Sequence, residues 1–260
     1  MYDFPWTREA NDALWAALAG RLRANGIDAP AHLTREADLH ELWRSPGLIF
    51  GQTCGYPYVT ALRASVALVA TPAYRFAGCQ GASHRSFLIA NKARARRGLG
   101  DFAGARAAVN ALDSNSGMNL FRATIAPLAQ GRSFFAEVIV TGSHAASLAA
   151  VSQGQADLAA IDCVSFALLR NGRPDLMQSV EVIAESPPSP ALPFIMSAAF
   201  AKSHLSALRE ALFATLADPA LAGALKILGL VGAEVLGDAD YERVAQIERD
   251  AIAAGYPALG

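Results

Sequence analysis

The middle of this chain alternates short apolar runs with stretches of helical spacing, and this alternation limits the folds open to it. Helical stretches are predicted at residues 117–130, 144–153 and 163–170. The apolar runs between them are bounded by Gly, Asn or charged residues and read as buried strands: RAAVN, AEVIVTG, DLAAID and VEVIAES. Strands that alternate with helices are typical of an α/β protein, so we predict this class with mainly parallel sheets.

Both flanks of this series carry further elements. Residues 7–25 have apolar side chains at helical spacing and predict an amphipathic helix, and a second, short helix over READLHELWR is expected after Thr34 as its N-cap. Three more apolar runs predict strands: GLIFGQT, SVALVAT and SFLIANK. Beyond about residue 200 we expect helices alone.

The order of elements predicts two lobes, one inserted into the other. The proline-rich stretch SPPSPALP at 186–193 suits a crossing between them. We therefore assign residues 1–106 plus 198–260 to lobe 1 and residues 107–197 to lobe 2.

Composition excludes several classes of function. The chain is 53% hydrophobic and 17% charged, with a net charge of -1 and a pI of about 6.5, so no nucleic-acid partner is expected. No apolar run approaches the roughly 20 residues of a membrane span, and stable membrane insertion is not expected. The three cysteines form no CxxC pair and the five histidines no HxxxH spacing. We expect no metal, no cofactor and no disulfide framework, although one bridge stays open.

Polar residues follow four predicted strands, where the ligands of parallel α/β sheets collect. Two of these stretches also precede predicted helices, whose free N–H groups and dipole favour an oxyanion. They contain small hydroxyls, a glycine that lets an anion approach the backbone, and a histidine: Ser114, Asn115, Ser116, Gly117, Ser143 and His144. The other two strand ends carry Gln52, Thr53, Cys54, Tyr56 and Asp162.

Each of these residues also has a simpler interpretation. Ser114, Ser143 and Asp162 fit helix N-caps, the commonest role of such residues. His144 fits a surface histidine, and Cys54 fits a small buried side chain. Only the shared position at strand ends favours ligand binding.

Three longer stretches carry a resemblance to a known family. They are SNSGMNLFRATIAPLA, FFAEVIVTGSHAASLAAVSQGQADLAAIDCVSFALL and SPPSPALPF. In combination they resemble the phosphate/phosphite/phosphonate-binding proteins of ABC importers, a branch of the periplasmic solute-binding proteins. The run before Gly117, the Gly-Ser-His-x-x-Ser stretch from Gly142 to Ser147 and the strand-end Asp162 match that family. The likeness is clearest over about residues 50–200 and implies a two-lobed type II periplasmic-binding-protein fold with a ligand cleft between the lobes.

The resemblance also implies roles for individual residues. It implies that four residues face an anionic head group: Asn115, Ser116, Gly117 and His144. Two others would lie nearer the far end of the ligand, Tyr56 and Asp162, and two at the cleft rim, Tyr2 and Asp3. Because the family's first strand ends near MYDFP, most of that strand would be missing or shortened in this chain, and any export signal would be lost with it.

The chain departs from the family's pattern at three positions. Asn115 stands where threonine is frequent, and Met118 where an aromatic residue is common. Cys54 enters a loop where an oxygen-rich lining would suit phosphonate. Two other ligands therefore stay open, a thiol-seeking oxyanion such as arsenite at Cys54 and an uncharged heterocycle between Tyr56 and Tyr74.

Three classes of function follow. The leading hypothesis is a non-catalytic solute-binding protein of an ABC-type importer that closes about a hinge on a small oxyanion such as phosphate, phosphite or a phosphonate. It would be a periplasmic monomer with an ABC permease or a sensor domain as partner.

The second hypothesis is a cytoplasmic enzyme or sensor on the same scaffold, with Cys54, His144 and Asp162 as nucleophile, base and orienting acid. The absence of a secretory signal from the N-terminal residues favours this hypothesis. The third, half of a transcriptional regulator, would need a basic helix-turn-helix segment, and residues 7–44 are not basic.

Overall fold

A computed structural model describes residues 1–35, 37–94 and 98–260. Its helices are α1 (Arg8–Ala24), α2 (Leu39–Arg44), α3 (Gly55–Pro57), α4 (Leu120–Ala129), α5 (His144–Ser152), α6 (Cys163–Gly172), α7 (Pro174–Met177), α8 (Ala198–Leu216), α9 (Ala222–Leu228) and α10 (Asp238–Ala253). Its strands are β1 (Gly51–Gln52), β2 (Val66–Tyr74), β3 (Ser83–His84), β4 (Ser86–Asn91), β5 (Arg106–Val109), β6 (Glu137–Val140), β7 (Leu158–Asp162), β8 (Val180–Glu185), β9 (Ser189–Pro190), β10 (Phe194–Ser197) and β11 (Leu230–Glu234).

The chain divides into two compact units. Unit 1 comprises Met1–Arg75, Gln80–Ala82 and Pro190–Asp240. Unit 2 comprises Phe76–Cys79, Ser83–Ser189 and Tyr241–Gly260. Each unit has its own sheet and its own hydrophobic core.

Unit 1 is built on a four-stranded sheet in the order β1-β10-β2-β11, and its three pairings are antiparallel. The predicted first helix is confirmed as α1, which buries Trp15, Leu18 and Leu22. These side chains pack with residues of β2 and α8, including Val69 and Leu212. The apolar stripe of the sequence therefore becomes the core of this unit.

Unit 2 is built on a five-stranded sheet in the order β6-β5-β7-β4-β8. β5 runs parallel to β6 and β7, whereas β4 runs antiparallel to β7 and β8. Across the two units, antiparallel strand pairs outnumber parallel pairs, so the predicted predominance of parallel sheets is wrong. Apolar runs identify strands but do not encode the direction in which a neighbour runs, which the path of the chain decides.

The unit bounds differ from the predicted lobes in three places. Unit 2 begins earlier than lobe 2, its central stretch ends at Ser189 rather than at residue 197, and it includes the C-terminal residues. Residues from Ser83 onward belong to unit 2, rather than residues from 107, because β4 pairs with β7 and β8. The last residues, from Tyr241, also belong to unit 2, because Ala251, Tyr256 and Leu259 lie in its core. These contacts join segments distant in sequence, and no local pattern records them.

Four strands were not predicted: β3, β9, β10 and β11. β10 pairs with β2, and β11 pairs with the same strand on its other side. The prediction that strands stop after residue 200 is therefore wrong. The run from Ala222 into β11 is rich in Leu, Ala and Gly and continues the helical composition before it, so only the partner strand distinguishes β11 from a helix.

The second predicted helix is shorter than expected. α2 begins at Leu39, and its N-cap is Asp38, whose side chain accepts a hydrogen bond from the Glu41 amide. The predicted cap, Thr34, lies outside the helix, and Glu36 lies outside the described residues. Thr34 and Asp38 are both residue types that commonly form N-caps, and tertiary packing selected Asp38.

Among the residues that the structure describes, no single helix has the length and apolar character needed to cross a bilayer. The segments Ala198–Leu216 and Pro219–Leu228, bent by 62° at the break between them, meet that requirement only when taken together.

A buried arginine fixes the C-terminal region within unit 2. Arg122 of α4 is 3% exposed and donates to the Pro257 carbonyl at 2.8 Å, to Asn119 Oδ1 at 2.9 Å and to Glu248 Oε1 at 3.3 Å. Because a buried cation is costly unless it is paired, these bonds should contribute strongly to stability.

Replacing Arg122 with Ala should lower the free energy of unfolding by about 3 kcal/mol, because the change removes one partner of a buried pair. Urea unfolding followed by circular dichroism measures this loss. The matched control is Arg249→Ala, whose exposed pair with Glu242 at 2.9 Å should contribute less than about 1 kcal/mol. Equal losses in the two variants would contradict the role of Arg122.

Candidate ligand-binding site

Three helix starts in unit 2 carry polar side chains from strand ends. Ser114 precedes the π-helical turn Asn115–Asn119 and α4, Ser143 precedes α5, and Asp162 precedes α6. Each side chain accepts a hydrogen bond from the backbone N–H three residues later, at 3.0, 3.1 and 2.8 Å respectively. The interpretation of these residues as N-caps is confirmed; their contact with a ligand stays a prediction.

Gly117 lies where no side chain fits. An added Cβ would overlap the side-chain oxygen of Asn110 and lie 3.2 Å from His144 Cε1. Asn110 directly follows β5, and its Oδ1 is buried without a hydrogen-bond partner among the described residues. The glycine therefore brings the start of the π-helical turn against an amide and an imidazole.

Ser116 and His144 bring a hydroxyl and an imidazole together. Ser116 Oγ and His144 Nε2 are 2.9 Å apart. His144 Nδ1 is buried and lacks a well-aligned hydrogen bond within the described part of the chain. Burial lowers the pKa of His144 and His84 adds to this, while Asp162 and the backbone of Ala160 act in the opposite direction without reversing it. The ring is therefore neutral near pH 7, and its contact with a ligand stays a prediction.

His84 and Asp162 form a buried pair. His84 Nδ1 and Asp162 Oδ2 are 2.8 Å apart, and each residue is 1% exposed. Burial by itself lowers the pKa of His84, but the hydrogen bond and charge of Asp162 outweigh it and raise that pKa above its usual 6.5. Burial acts to raise the pKa of Asp162, and the bond and charge of His84 hold it below its usual 3.8.

The second nitrogen of His84 is left without a hydrogen bond in the described part of the chain. His84 Nε2 is buried, and no described residue is its hydrogen-bond partner. When the ring is protonated, both nitrogens carry hydrogen, so Nε2 presents an N–H without an acceptor. We call Ser116, Gly117, His144, His84 and Asn110 the unit 2 cluster.

His84 and Asn110 were not among the predicted site residues. Asn110 ends the apolar run RAAVN, so its strand-end position could have identified it. Nothing local marks His84, because its partner Asp162 is 78 residues away in the sequence. Sequence patterns report periodicity and local caps, whereas this pair is formed by tertiary structure.

Asn115 and Met118 are buried in unit 2. Asn115 Nδ2 donates to Ser189 Oγ at 2.8 Å, and its Oδ1 accepts from Asn119 Nδ2 at 3.1 Å. Met118 is 7% exposed. The Asn115 side chain thus fixes the π-helical turn, and ligand contact by these two residues stays a prediction.

In unit 1, three predicted residues lie together, and we call Tyr2, Gln52 and Tyr74 the unit 1 cluster. The rings of Tyr2 and Tyr74 meet edge to face with centroids 5.5 Å apart. Gln52 Nε2 donates to the Tyr74 hydroxyl at 3.4 Å and to the Leu192 carbonyl at 3.1 Å. Tyr2 has a φ of 43°, a left-handed conformation that costs a bulky residue about 1–3 kcal/mol and is enriched at functional sites.

The remaining predicted residues of unit 1 are buried, partly buried or paired with a charged side chain. Thr53 is fully buried, Cys54 is 6% exposed, and Tyr56 is partly buried in α3. Asp3 accepts from Arg35 Nε at 2.8 Å. Burial acts to raise the pKa of Asp3, and the hydrogen bonds of Arg35 and Asn11 with the Arg35 charge lower it. Asp3 is thus an ion-pair partner, and Cys54 is confirmed as a small buried side chain.

A cavity of about 490 Å³ lies within unit 1. Of the predicted site residues it includes only Asp3 and Gln52, and large apolar side chains such as Trp15, Trp43 and Phe50 dominate its lining. It therefore does not gather the unit 1 cluster. Two arginines also line it, Arg8 and Arg35, and both are paired with Asp3.

The His84–Asp162 pair should give stability a specific pH dependence. The pKa of His84 is raised in the folded protein, so its contribution is fully present below about pH 6.5 and is lost as pH rises through the folded-state pKa. The free-energy difference of unfolding between the wild type and His84→Gln should shrink over that range. Urea unfolding between about pH 5 and 9, where Asp162 stays ionised, measures it.

His144 supplies the contrast, because its pKa is lowered. The difference between the wild type and His144→Gln should shrink as pH falls below about 6.5, the opposite direction to His84. His32→Gln, at an exposed position, controls for the substitution itself. Parallel pH profiles for the His84 and His144 variants would contradict this assignment of charges.

Comparison with known proteins identifies the family of this chain. The model of the family described as "ABC transporter, phosphonate, periplasmic substrate-binding protein" matches residues 7–241. No curated protein matches the chain.

Solved structures with similar folds include three of particular interest. A binding-protein component of an ABC phosphonate transporter from Pseudomonas aeruginosa is 17% identical, with a TM-score of 0.76, over 95% of this chain and 83% of that one. XAC2383 from Xanthomonas citri bound to chloride ion is 17% identical, with a TM-score of 0.73, over 98% and 95% of the two chains. PhnD1 from Prochlorococcus marinus in complex with methylphosphonate is 13% identical, with a TM-score of 0.71, over 94% and 93%.

At these identities the structures show the fold, and the predicted type II periplasmic-binding-protein class is confirmed. The family follows from the model match, which spans most of the chain. The chain belongs to the periplasmic substrate-binding proteins of phosphonate ABC transporters, which bind a small-molecule solute and work with a membrane permease.

Proposed function

We propose that this protein binds a small oxyanion such as phosphate, phosphite or a phosphonate, without catalysis, and delivers it to an ABC permease. The observation that carries the proposal is the buried His84 Nε2, which has no partner among the described residues while Nδ1 bonds to Asp162. A buried donor on a positively charged ring is costly until an acceptor completes it. An oxyanion supplies that acceptor.

The rest of the unit 2 cluster supports the same ligand. The Ser116 hydroxyl adds a donor at the start of the helical run that continues into α4, and the Asn110 amide lies against Gly117 of the same turn. The positive end of that helix dipole favours an anion. The pKa of His144 responds to both His84 and Asp162, so these groups are within electrostatic reach of one another.

The charge balance favours an oxyanion that carries a proton of its own. Asp162 neutralises the charge of His84, and His144 is neutral near pH 7. A partly protonated phosphate, phosphite or phosphonate can accept from His84 and donate its proton to His144 Nδ1. Sulfate has no proton to donate at this pH and should bind more weakly.

The unit 1 cluster supports an organic substituent on the ligand. Tyr2 and Tyr74 offer ring surfaces and Gln52 offers an amide, an environment suited to an uncharged group. We propose that the protein binds its ligand by hinge closure, so that binding shifts the population toward the closed form. The methylphosphonate complex of PhnD1 makes methylphosphonate the first ligand to test.

The partner would be the permease of the same transporter, and the protein would act as a monomer in the periplasm. The alternative catalytic use of Cys54, His144 and Asp162 lacks support in unit 2. There Asp162 bonds to His84, and His144 pairs with Ser116. An acid oriented toward a different histidine does not prepare His144 as a base.

Ser116→Ala and His84→Gln should each weaken methylphosphonate binding at least tenfold, because a lost hydrogen bond to a charged group costs about 1.5–3 kcal/mol. Isothermal titration calorimetry measures the affinity, and thermal unfolding verifies that each variant is folded. Ser206→Ala is the matched control, since this exposed α8 hydroxyl bonds only to Glu210 in the described structure.

The ligand panel separates the alternatives. Phosphate, phosphite and methylphosphonate should raise the melting temperature, and sulfate should do so least. Stabilisation by arsenite that is lost in Cys54→Ser, or by a thiamine-type pyrimidine alone, would favour the thiol-seeking or heterocyclic ligand. Unchanged affinity in both Ser116→Ala and His84→Gln would reject the unit 2 cluster as the anion site.

A further inference from the structure

Two thiols of unit 2 lie in direct contact. Cys79 Sγ and Cys163 Sγ are 3.3 Å apart, although the residues are separated by 84 positions in the sequence. Cys163 is fully buried at the start of α6, and Cys79 is partly buried at the end of the segment Phe76–Cys79. Since bonded sulfurs are about 2.0 Å apart, an approach of roughly 1 Å would join them.

The backbone holds the two thiols in this position. Gly78 has a φ of +87°, and a Cβ added there would lie 2.8 Å from Cys163 Cβ and 3.2 Å from its sulfur. The Cys79 amide donates to the Phe76 carbonyl at 3.1 Å and closes the turn. Only glycine allows this turn to pack so tightly on Cys163, so the contact depends on backbone packing rather than on a flexible side chain.

We propose that Cys79 and Cys163 form a reversible intramolecular disulfide bond, a modification site within unit 2. The third cysteine, Cys54, lies in unit 1 and stays a thiol. The periplasmic location of the family places the pair in an oxidising compartment, where disulfides form and persist.

The reaction needs an incoming disulfide as oxidant, such as oxidised glutathione or an oxidised dithiol protein. Cys79, the more accessible thiol, loses its proton and attacks one sulfur of that disulfide, and the other sulfur leaves as a thiolate. The Cys163 thiolate then attacks Cys79 Sγ and expels the second thiolate. Two cysteine thiols are oxidised, one disulfide is reduced to two thiols, and the two cysteine protons end on the leaving groups.

The position of Cys163 sets the rate and the consequence of the second step. The hydrogen bond with Cys79 and burial raise the pKa of the Cys163 thiol, so ring closure should accelerate as pH rises. Cys163 directly follows Asp162, the partner of His84. The bond would therefore fasten the start of α6 beside the unit 2 cluster.

The proposal can be tested by alkylation. The purified protein is equilibrated with oxidised glutathione and denatured in iodoacetamide, and its alkylated and linked cysteines are identified by intact mass and peptide mapping. We expect one alkylated cysteine, Cys54, and one linked pair of peptides containing Cys79 and Cys163. Dithiothreitol should restore three alkylated cysteines. Three alkylated cysteines after oxidation, a glutathione adduct on Cys79 without the link, or a disulfide-linked dimer would each overturn the proposal.

Thermal unfolding gives an independent readout. Closing so long a loop restricts the unfolded chain, so oxidation should raise the melting temperature by roughly 5–10 °C. Cys79→Ser, at the partly exposed position, should abolish this rise, and the matched variant Cys54→Ser should retain it. A rise that persists in Cys79→Ser would overturn the assignment, and neither result depends on which anion the protein binds.

Discussion

The pairing of one buried carboxylate with one buried imidazole underlies the organisation of unit 2. Asp162 ends β7, caps α6 through the Ser165 amide and bonds to His84 at the end of β3. A carboxylate that is 1% exposed would be strongly unfavourable without such partners. Because Asp162 engages one nitrogen of His84, the other nitrogen is left as a donor, and the proposed anion site follows from that.

Strand pairing, rather than position in the chain, decides which unit a segment joins. β4 enters the unit 2 sheet between β7 and β8, and this takes residues from Ser83 onward out of unit 1. The C-terminal residues join the same unit through Ala251 and Tyr256 in its core and through the bonds of Arg122. Every strand needs a partner for its backbone groups, and the nearest partner in space is often distant in sequence.

Structural roles and proposed binding roles coincide at the helix starts. Ser114, Ser143 and Asp162 cap their helices, which fixes the first turns in place. Fixed turns hold Ser116 and His144 at hydrogen-bond distance before any ligand arrives. Such preorganisation lowers the entropic cost of binding. The N-cap interpretation and the proposed ligand-binding role of this region are therefore compatible, since the caps would position the proposed donors.

Elements whose signals are local could be predicted from the amino-acid sequence. The leucine spacing of α1, the apolar run of β4 and the hydroxyl-rich start before α4 all depend on neighbours a few residues away, and each was predicted. Four features became visible only in the folded protein: the direction of the strands, the strand identity of β11, the unit bounds and the pairing of His84 with Asp162. These features arise from contacts between distant segments, whose free energy depends on the packed arrangement and leaves no periodic trace along the chain.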